Sequence, residues 1–201
     1  MCNAYTVRPK VGARALAAVV SEEISKLPSS LVRRTGSGVV VRSDGTGLSP
    51  EIMRWGFHRP FSDAINNARS DKFSSPTWAD SLRLRRCLVP ISTFYEWQPL
   101  VGKAKQTFEF KRPDGEWMWV AGLFEHSDKY GPCFATITTE PPEWVVPIHD
   151  RLLAVVDFDD GLAFLHGETL PFGPYAGKIE AVPCESPLKR KGPGPPQGEL
   201  F

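Results

Sequence analysis

The chain opens Met1-Cys2. Once Met1 is removed, Cys2 carries a free α-amine beside its thiol, and a 1,2-aminothiol has chemistry that an internal cysteine lacks. The amine condenses with an aldehyde, the thiol attacks the same carbon, and the product is a five-membered thiazolidine. An α-amine titrates near about 7.7–8.0 and a cysteine thiol near about 8.5, so both groups are partly reactive around neutral pH. The dipeptide is equally the ordinary start of a chain, so residues downstream must decide.

Glu96 stands in Phe94-Tyr95-Glu96-Trp97. On a strand it shares one face with Phe94, while Tyr95 and Trp97 share the other. A carboxylate among aromatic rings tends toward a raised pKa, which suits acid–base work; the alternative is an exposed strand glutamate. His149 precedes Asp150 and Arg151 after a proline-bounded segment and reads as a proton shuttle or as a surface or capping histidine. Asn66-Asn67 offers side-chain amides to a site, or a turn. Arg69 lies on the same face as Asn67 if the segment is extended, and suits a phosphate or a surface ion pair. Trp55, before Gly56, reads as a base-stacking ring or as core.

With 201 residues, 41% of them hydrophobic, the chain can build a single domain with a sizeable core. A net charge of +1 disfavours a bulk polycationic nucleic-acid binder and leaves room for a local basic groove. Cys2, Cys87, Cys133 and Cys184 are scattered, with no CxxC pair, so no metal is expected and no cofactor is implied. No signal peptide or membrane-length apolar run is read, and a reducing cytoplasm is the expected compartment.

The elements that must position these residues begin with a short strand over residues 3–9. Leu16, Val19, Val20, Ile24 and Leu27 recur at helical spacing up to Pro28. Val39, Val40 and Val41 form a β-branched run before an Asp44-Gly45 turn. Ser75-Pro76 has the form of an N-cap and first helical residue. Strands follow over 87–91 and 94–97. The stretch 107–111, the turn Pro113-Asp114-Gly115 and 117–124 read as a hairpin. Further strands are expected over 133–139, 152–158 and 179–182, the last stopped by Pro183, with one or two helical turns over 162–166. From Ser186 the composition shifts to Pro, Gly and Lys, as in a flexible tail. The sum is an α+β domain whose short antiparallel strands close on one another in a barrel-like arrangement, with flanking helices.

Taken together, Met1-Cys2, Trp55-Gly56, Asn67-Ala68-Arg69, Phe94-Tyr95-Glu96-Trp97, residues 121–125, Thr138-Thr139 and His149-Asp150-Arg151 resemble the SOS-response-associated peptidase (SRAP) family in order and spacing. The resemblance spans about residues 2–183 and implies a domain over 2–185 with a tail over 186–201. It implies that the protein removes its own Met1 and forms a thiazolidine between Cys2 and the ring-opened aldehyde of an abasic site in single-stranded DNA, shielding the lesion. By motif, Cys2 is the nucleophile, Asn67 orients its amine, and Glu96 and His149 move protons. Trp55, Arg69, Thr138 and Arg151 match DNA-binding positions. The expected partner is abasic single-stranded DNA, with no membrane, and the protein is expected to be a monomer, bound to the nucleoid when on DNA.

Some positions depart from the family pattern. Asn3 and Ala4 stand where Gly and Arg are usual, which removes an arginine beside the nucleophile. Thr93 replaces Gly, Asp71-Lys72 replaces Glu-Thr, and Leu152-Leu153 replaces Met-Pro. None removes a proposed catalytic group. Two other readings are an N-terminal-nucleophile amidohydrolase, whose oxyanion and glutamine-binding motifs are not found, and a non-enzymatic single-stranded DNA-binding module.

Overall fold

A computed structural model describes residues 2–189. In chain order, β1 (Ala4–Thr6) follows Cys2, and α1 (Ala15–Ser25) turns Val20, Ser21 and Ile24 inward. Next come β2 (Leu31–Arg33), β3 (Ser37–Ser43), β4 (Leu48–Trp55), β5 (Phe57–Arg59), β6 (Ser62–Ile65) and β7 (Asn67–Arg69). After α2 (Ala79–Leu84) run β8 (Arg86–Ile91), β9 (Thr93–Pro99), β10 (Lys105–Lys111), β11 (Met118–Ser127) and β12 (Gly131–Thr139). The last elements among the described residues are β13 (Leu152–Leu153), β14 (Val155–Val156), α3 (Phe158–Leu165) and β15 (Glu180–Cys184).

Strands β12, β4, β3, β8 and β11 pair in that order, and β11 pairs back to β12, closing a five-stranded barrel. Closure removes the exposed edges of the central sheet. Val39, Val40 and Val41 are all buried because the interior lies on one side of β3 and packed elements on the other. A second sheet, in the order β15-β10-β9-β1-β2, shares one apolar core with the barrel, with Tyr5, Phe94 and Phe110 on its side. The α+β class and the barrel-like closure follow the expectation.

Several local expectations fail for identifiable reasons. The stretches 107–111 and 117–124 do not form a hairpin: β10 pairs β9 and β15, whereas β11 pairs β8, β12 and β14. The turn at 112–115 passes the chain from one sheet to the other. Strand 152–158 is broken at Ala154, where pairing switches from β12 to β11, and α3 already begins at Phe158. Strand β15 continues through Pro183, which an edge strand tolerates. Helix α2 starts at Ala79, while Ser75 and Pro76 lie in the turn before it. Val19 is half exposed, and Ser21 occupies the buried face of α1 instead.

One glycine fixes the path into the site. Gly56 sits at φ +128°, and a Cβ there would come within 2.6 Å of the Ala64 Cβ. This tight reversal after Trp55 folds β6, and with it Asn66 and Asn67, back over the end of β4.

Candidate active site

Antiparallel pairing of β1 with β9 sets Tyr5 opposite Phe94. Carried two residues further, that register brings Asn3 beside Glu96, so a residue at the chain start reaches one from its middle. Cys2 is wholly buried, and its thiol donates to the Ala4 carbonyl at 3.2 Å. Burial, reinforced by the Glu96 charge, pushes the Cys2 thiol well above its ordinary range. The thiol therefore stays protonated until a base takes its proton.

Two amides clamp the Cys2 main chain. Asn66 and Asn67 each donate from Nδ2 to the Cys2 carbonyl oxygen, both at 2.9 Å. Asn67 Oδ1 accepts from the Thr136 hydroxyl at 3.0 Å, which turns its Nδ2 toward Cys2. The backbone of Asn66 is fixed by Trp55, whose indole N–H donates to the Asn66 carbonyl at 2.9 Å, and by the Thr136 N–H at 3.0 Å. Asn67 thus reaches Cys2 at its carbonyl, where an amine contact was expected, and Asn66 shares the task. The adjacent asparagines were the sequence signal for that pair.

Glu96 is 1% exposed, and burial pushes its carboxyl up to about 8. His149 Nε2 lies 3.6 Å from Glu96 Oε2, too long for a direct hydrogen bond. His149 Nδ1 accepts the Arg151 backbone N–H at 3.0 Å, which puts the neutral ring's proton on Nε2, facing Glu96. Asp150 Oδ1 also stands 3.0 Å from Nδ1, but its side chain is 83% exposed and its charge is screened by water. Burial consequently wins, and the His149 pKa lies below its ordinary value. At neutral pH the pair is a protonated carboxyl beside a neutral imidazole that carries its proton on Nε2.

Of the expected DNA-binding residues, Trp55 is wholly buried, in edge contact with Tyr5 and stacked on Phe134. It offers no face to a base, and its role is to hold Asn66. Thr138 is 1% exposed, and its carbonyl accepts Arg151 Nη2 at 2.5 Å. Arg151, 4% exposed, also reaches Ser70 Oγ and Asp71. Its guanidinium is spent inside the protein, because a buried charge needs internal partners. Arg69 alone of these residues presents its side chain to solvent, and it grips Asp71 through two bonds of 3.1 and 2.9 Å. That grip holds the Asp71 carboxyl down to about 2.

The open face of the site is a cleft of about 340 Å³ lined by Asn3, Glu96, Trp97, Lys105, His149, Ser186 and Leu188. Trp97 donates from its indole to Ser186 Oγ at 3.3 Å, and Arg33 donates to the Pro187 carbonyl at 3.3 Å. The start of the segment expected as a tail therefore walls the cleft; its remainder, 190–201, lies outside the described residues. Lys105 and Ser186 belong to no motif and were legible only after folding. Among the described residues, no helix is long and apolar enough to cross a membrane.

The family model described as SOS response associated peptidase (SRAP) matches residues 1–172. The chain belongs to this family. Its sequence is 30% identical over 143 residues to the abasic site processing protein YoaM of Bacillus subtilis, covering 66% of this chain and 63% of that one. It is 28% identical over 152 residues to an abasic site processing protein of Saccharomyces cerevisiae, covering 69% of this chain and 39% of that longer one. The chain thus spans less than two thirds of the length of either relative. In fold, it matches a crystal structure from Bacteroides thetaiotaomicron with a TM-score of 0.72 at 18% identity, covering 92% of each chain. It also matches one from Bordetella bronchiseptica with a TM-score of 0.69 at 17% identity, covering 92% of this chain and 100% of that one. The SRAP fold is common to proteins that share few residues with this chain.

Proposed function

We propose that this SRAP protein is a DNA-damage response enzyme that captures abasic sites in single-stranded DNA as a thiazolidine on Cys2, after the Cys2 thiol has helped to release Met1. The observation that carries this reading is the convergence of the Cys2 main chain, two clamping amides and the Glu96–His149 pair beside one cleft. Naming of the relatives as abasic site processing proteins supports the same substrate.

In the proposed reaction, the Cys2 amine adds to the open-chain aldehyde carbon. The two amine protons pass to the carbonyl oxygen through the acid–base pair, and the oxygen leaves as water, giving an imine. The Cys2 sulfur then closes the ring on the same carbon. Glu96, protonated at neutral pH and deep in the site, serves the amine side; His149, on the open side, serves the sugar oxygen. Met1 release uses the same thiol: sulfur attacks the Met1 carbonyl, the Cys2 nitrogen leaves as the free amine, and water cleaves the thioester.

The test is a denaturing gel of purified protein with single-stranded DNA carrying one abasic site, alongside intact-mass measurement. A denaturation-resistant band and loss of the Met1 mass are expected. Quantitative retention of Met1, or no band from wild-type protein, overturns the reading.

A further inference from the structure

Two clefts of the molecule hold their cations differently. Arg69 and Arg151 are tied to Asp71, and Arg151 lines a separate cleft with Ser70, Thr139 and Phe172. Among the described residues that line the cleft beside Glu96 and His149, Lys105 is the one lysine or arginine. None of the ion pairs among the described residues engages it, although the nearby Lys111 pairs with Glu109. Its position follows from pairing. Lys105 is the first residue of β10, opposite Pro99, and it lines the cleft together with Ser186, just past the end of β15. It stands at the rim while Glu96 and His149 form the floor, and its charge helps depress the His149 pKa.

We propose that Lys105 holds the phosphate adjoining the reacting sugar, and that the cleft therefore accepts a free open-chain aldose monophosphate as a substrate outside DNA. A cleft of about 340 Å³ is at the small end for ligand pockets and encloses a sugar with one phosphate, without bases. A lysine ammonium reads phosphate as a point charge, independent of any base. The chemistry rests on the Cys2 reading; the phosphate contact does not. The aldehyde carbon gains one bond to the Cys2 nitrogen and one to its sulfur. Both bonds to the carbonyl oxygen break, and that oxygen leaves as water with one proton from the amine and one from the thiol. No oxidant or reductant is required.

The experiment follows adduct mass over time on full-length protein lacking Met1, with 2-deoxyribose 5-phosphate against 2-deoxyribose at equal subsaturating concentration. Wild-type protein is expected to react roughly three- to tenfold faster with the phosphorylated sugar, the range for a partly exposed charge-assisted contact. Lys105→Ala should lower that rate to the level of the plain sugar, and Lys105→Arg should retain the preference. Equal wild-type rates, or a preference that survives Lys105→Ala, overturn the proposal. A second measurement uses 1,2-dideoxyribose 5-phosphate, which has no aldehyde, in calorimetric binding to wild type and Lys105→Ala. Binding lost in the variant supports the contact, and no binding to wild type refutes it. Binding without any adduct from either sugar refutes the substrate claim and the Cys2 chemistry, and leaves the phosphate contact standing.

Discussion

Two polar clusters in this molecule are built on opposite terms. Around Cys2, burial moves the titrations: the Glu96 carboxyl is pushed up to about 8 and His149 is pushed down. At the end of β7 and β12, Arg69 and Arg151 converge on one carboxylate, and Asp71 is held down to about 2. The first cluster keeps protons transferable near neutral pH. The second locks its charges into fixed states and ties the loop after β7 to the segment after His149. Perturbed protonation marks the place where chemistry is expected, and neutralised charge marks scaffold.

The sharpest way to break this comparison is Cys2→Ala, which should abolish the DNA adduct while binding to a stable abasic analogue persists. A denaturation-resistant adduct at wild-type yield in that variant would sink the assignment of the reacting residue.

Next in size come Glu96→Gln and His149→Ala. Each should slow crosslinking by about 10²–10⁴-fold, and the double variant should cost less than the product if the two act as a unit. Wild-type time courses in both singles would overturn the proton-transfer roles. The pH dependence has a definite sign. Folded protein keeps the Glu96 proton up to about 8, whereas the unfolded chain releases it near about 4.3. The native state thus binds more protons between those values, and this group's contribution to stability falls as pH rises through that window. Glu96→Gln should therefore melt higher than wild type at pH 9, with the gain shrinking toward pH 4. An unchanged melting difference across that range would mean Glu96 is not buried in its neutral form.

A smaller effect is expected at the clamp. Asn66→Ala or Asn67→Ala leaves the Cys2 carbonyl one remaining amide, and a net hydrogen bond corresponds to roughly a two- to tenfold change in rate. Crosslinking kinetics at saturating DNA measure it; no change in either variant would make the clamp dispensable for the reaction.

The smallest effects should come from the second cluster. If Arg69 exchanges Asp71 for DNA phosphate, Arg69→Ala should reduce the log–log salt slope of single-strand binding by about 0.7. Asp71→Asn should raise affinity instead, by freeing the guanidinium. Identical salt slopes in wild type and both variants would confine this cluster to scaffolding.

Residue type alone made the chemistry of the first cluster legible. An aminothiol at the start of the chain, a glutamate among aromatics, adjacent asparagines and a histidine near an element boundary carry their reactivity wherever they fold. The many short strands likewise pointed to sheets that close on one another. Burial was harder to read. Trp55, Thr138 and Arg151 look on paper like residues for a groove, yet all three face inward. Alternation shows which side chains share a face of a strand, but not which face another element will cover.

The sequence by itself determined the family and pointed to the groups proposed to react. Tertiary structure alone decided that β10 leaves β11 for β9 and β15, that Asn66 joins Asn67 on the Cys2 carbonyl, and that Lys105 and Ser186 line one cleft. The reason is that strand register is a cooperative property of paired chains. Each strand carries a local preference for extension, but its partner is set by which pairing buries the most apolar surface without orphaning a backbone hydrogen bond.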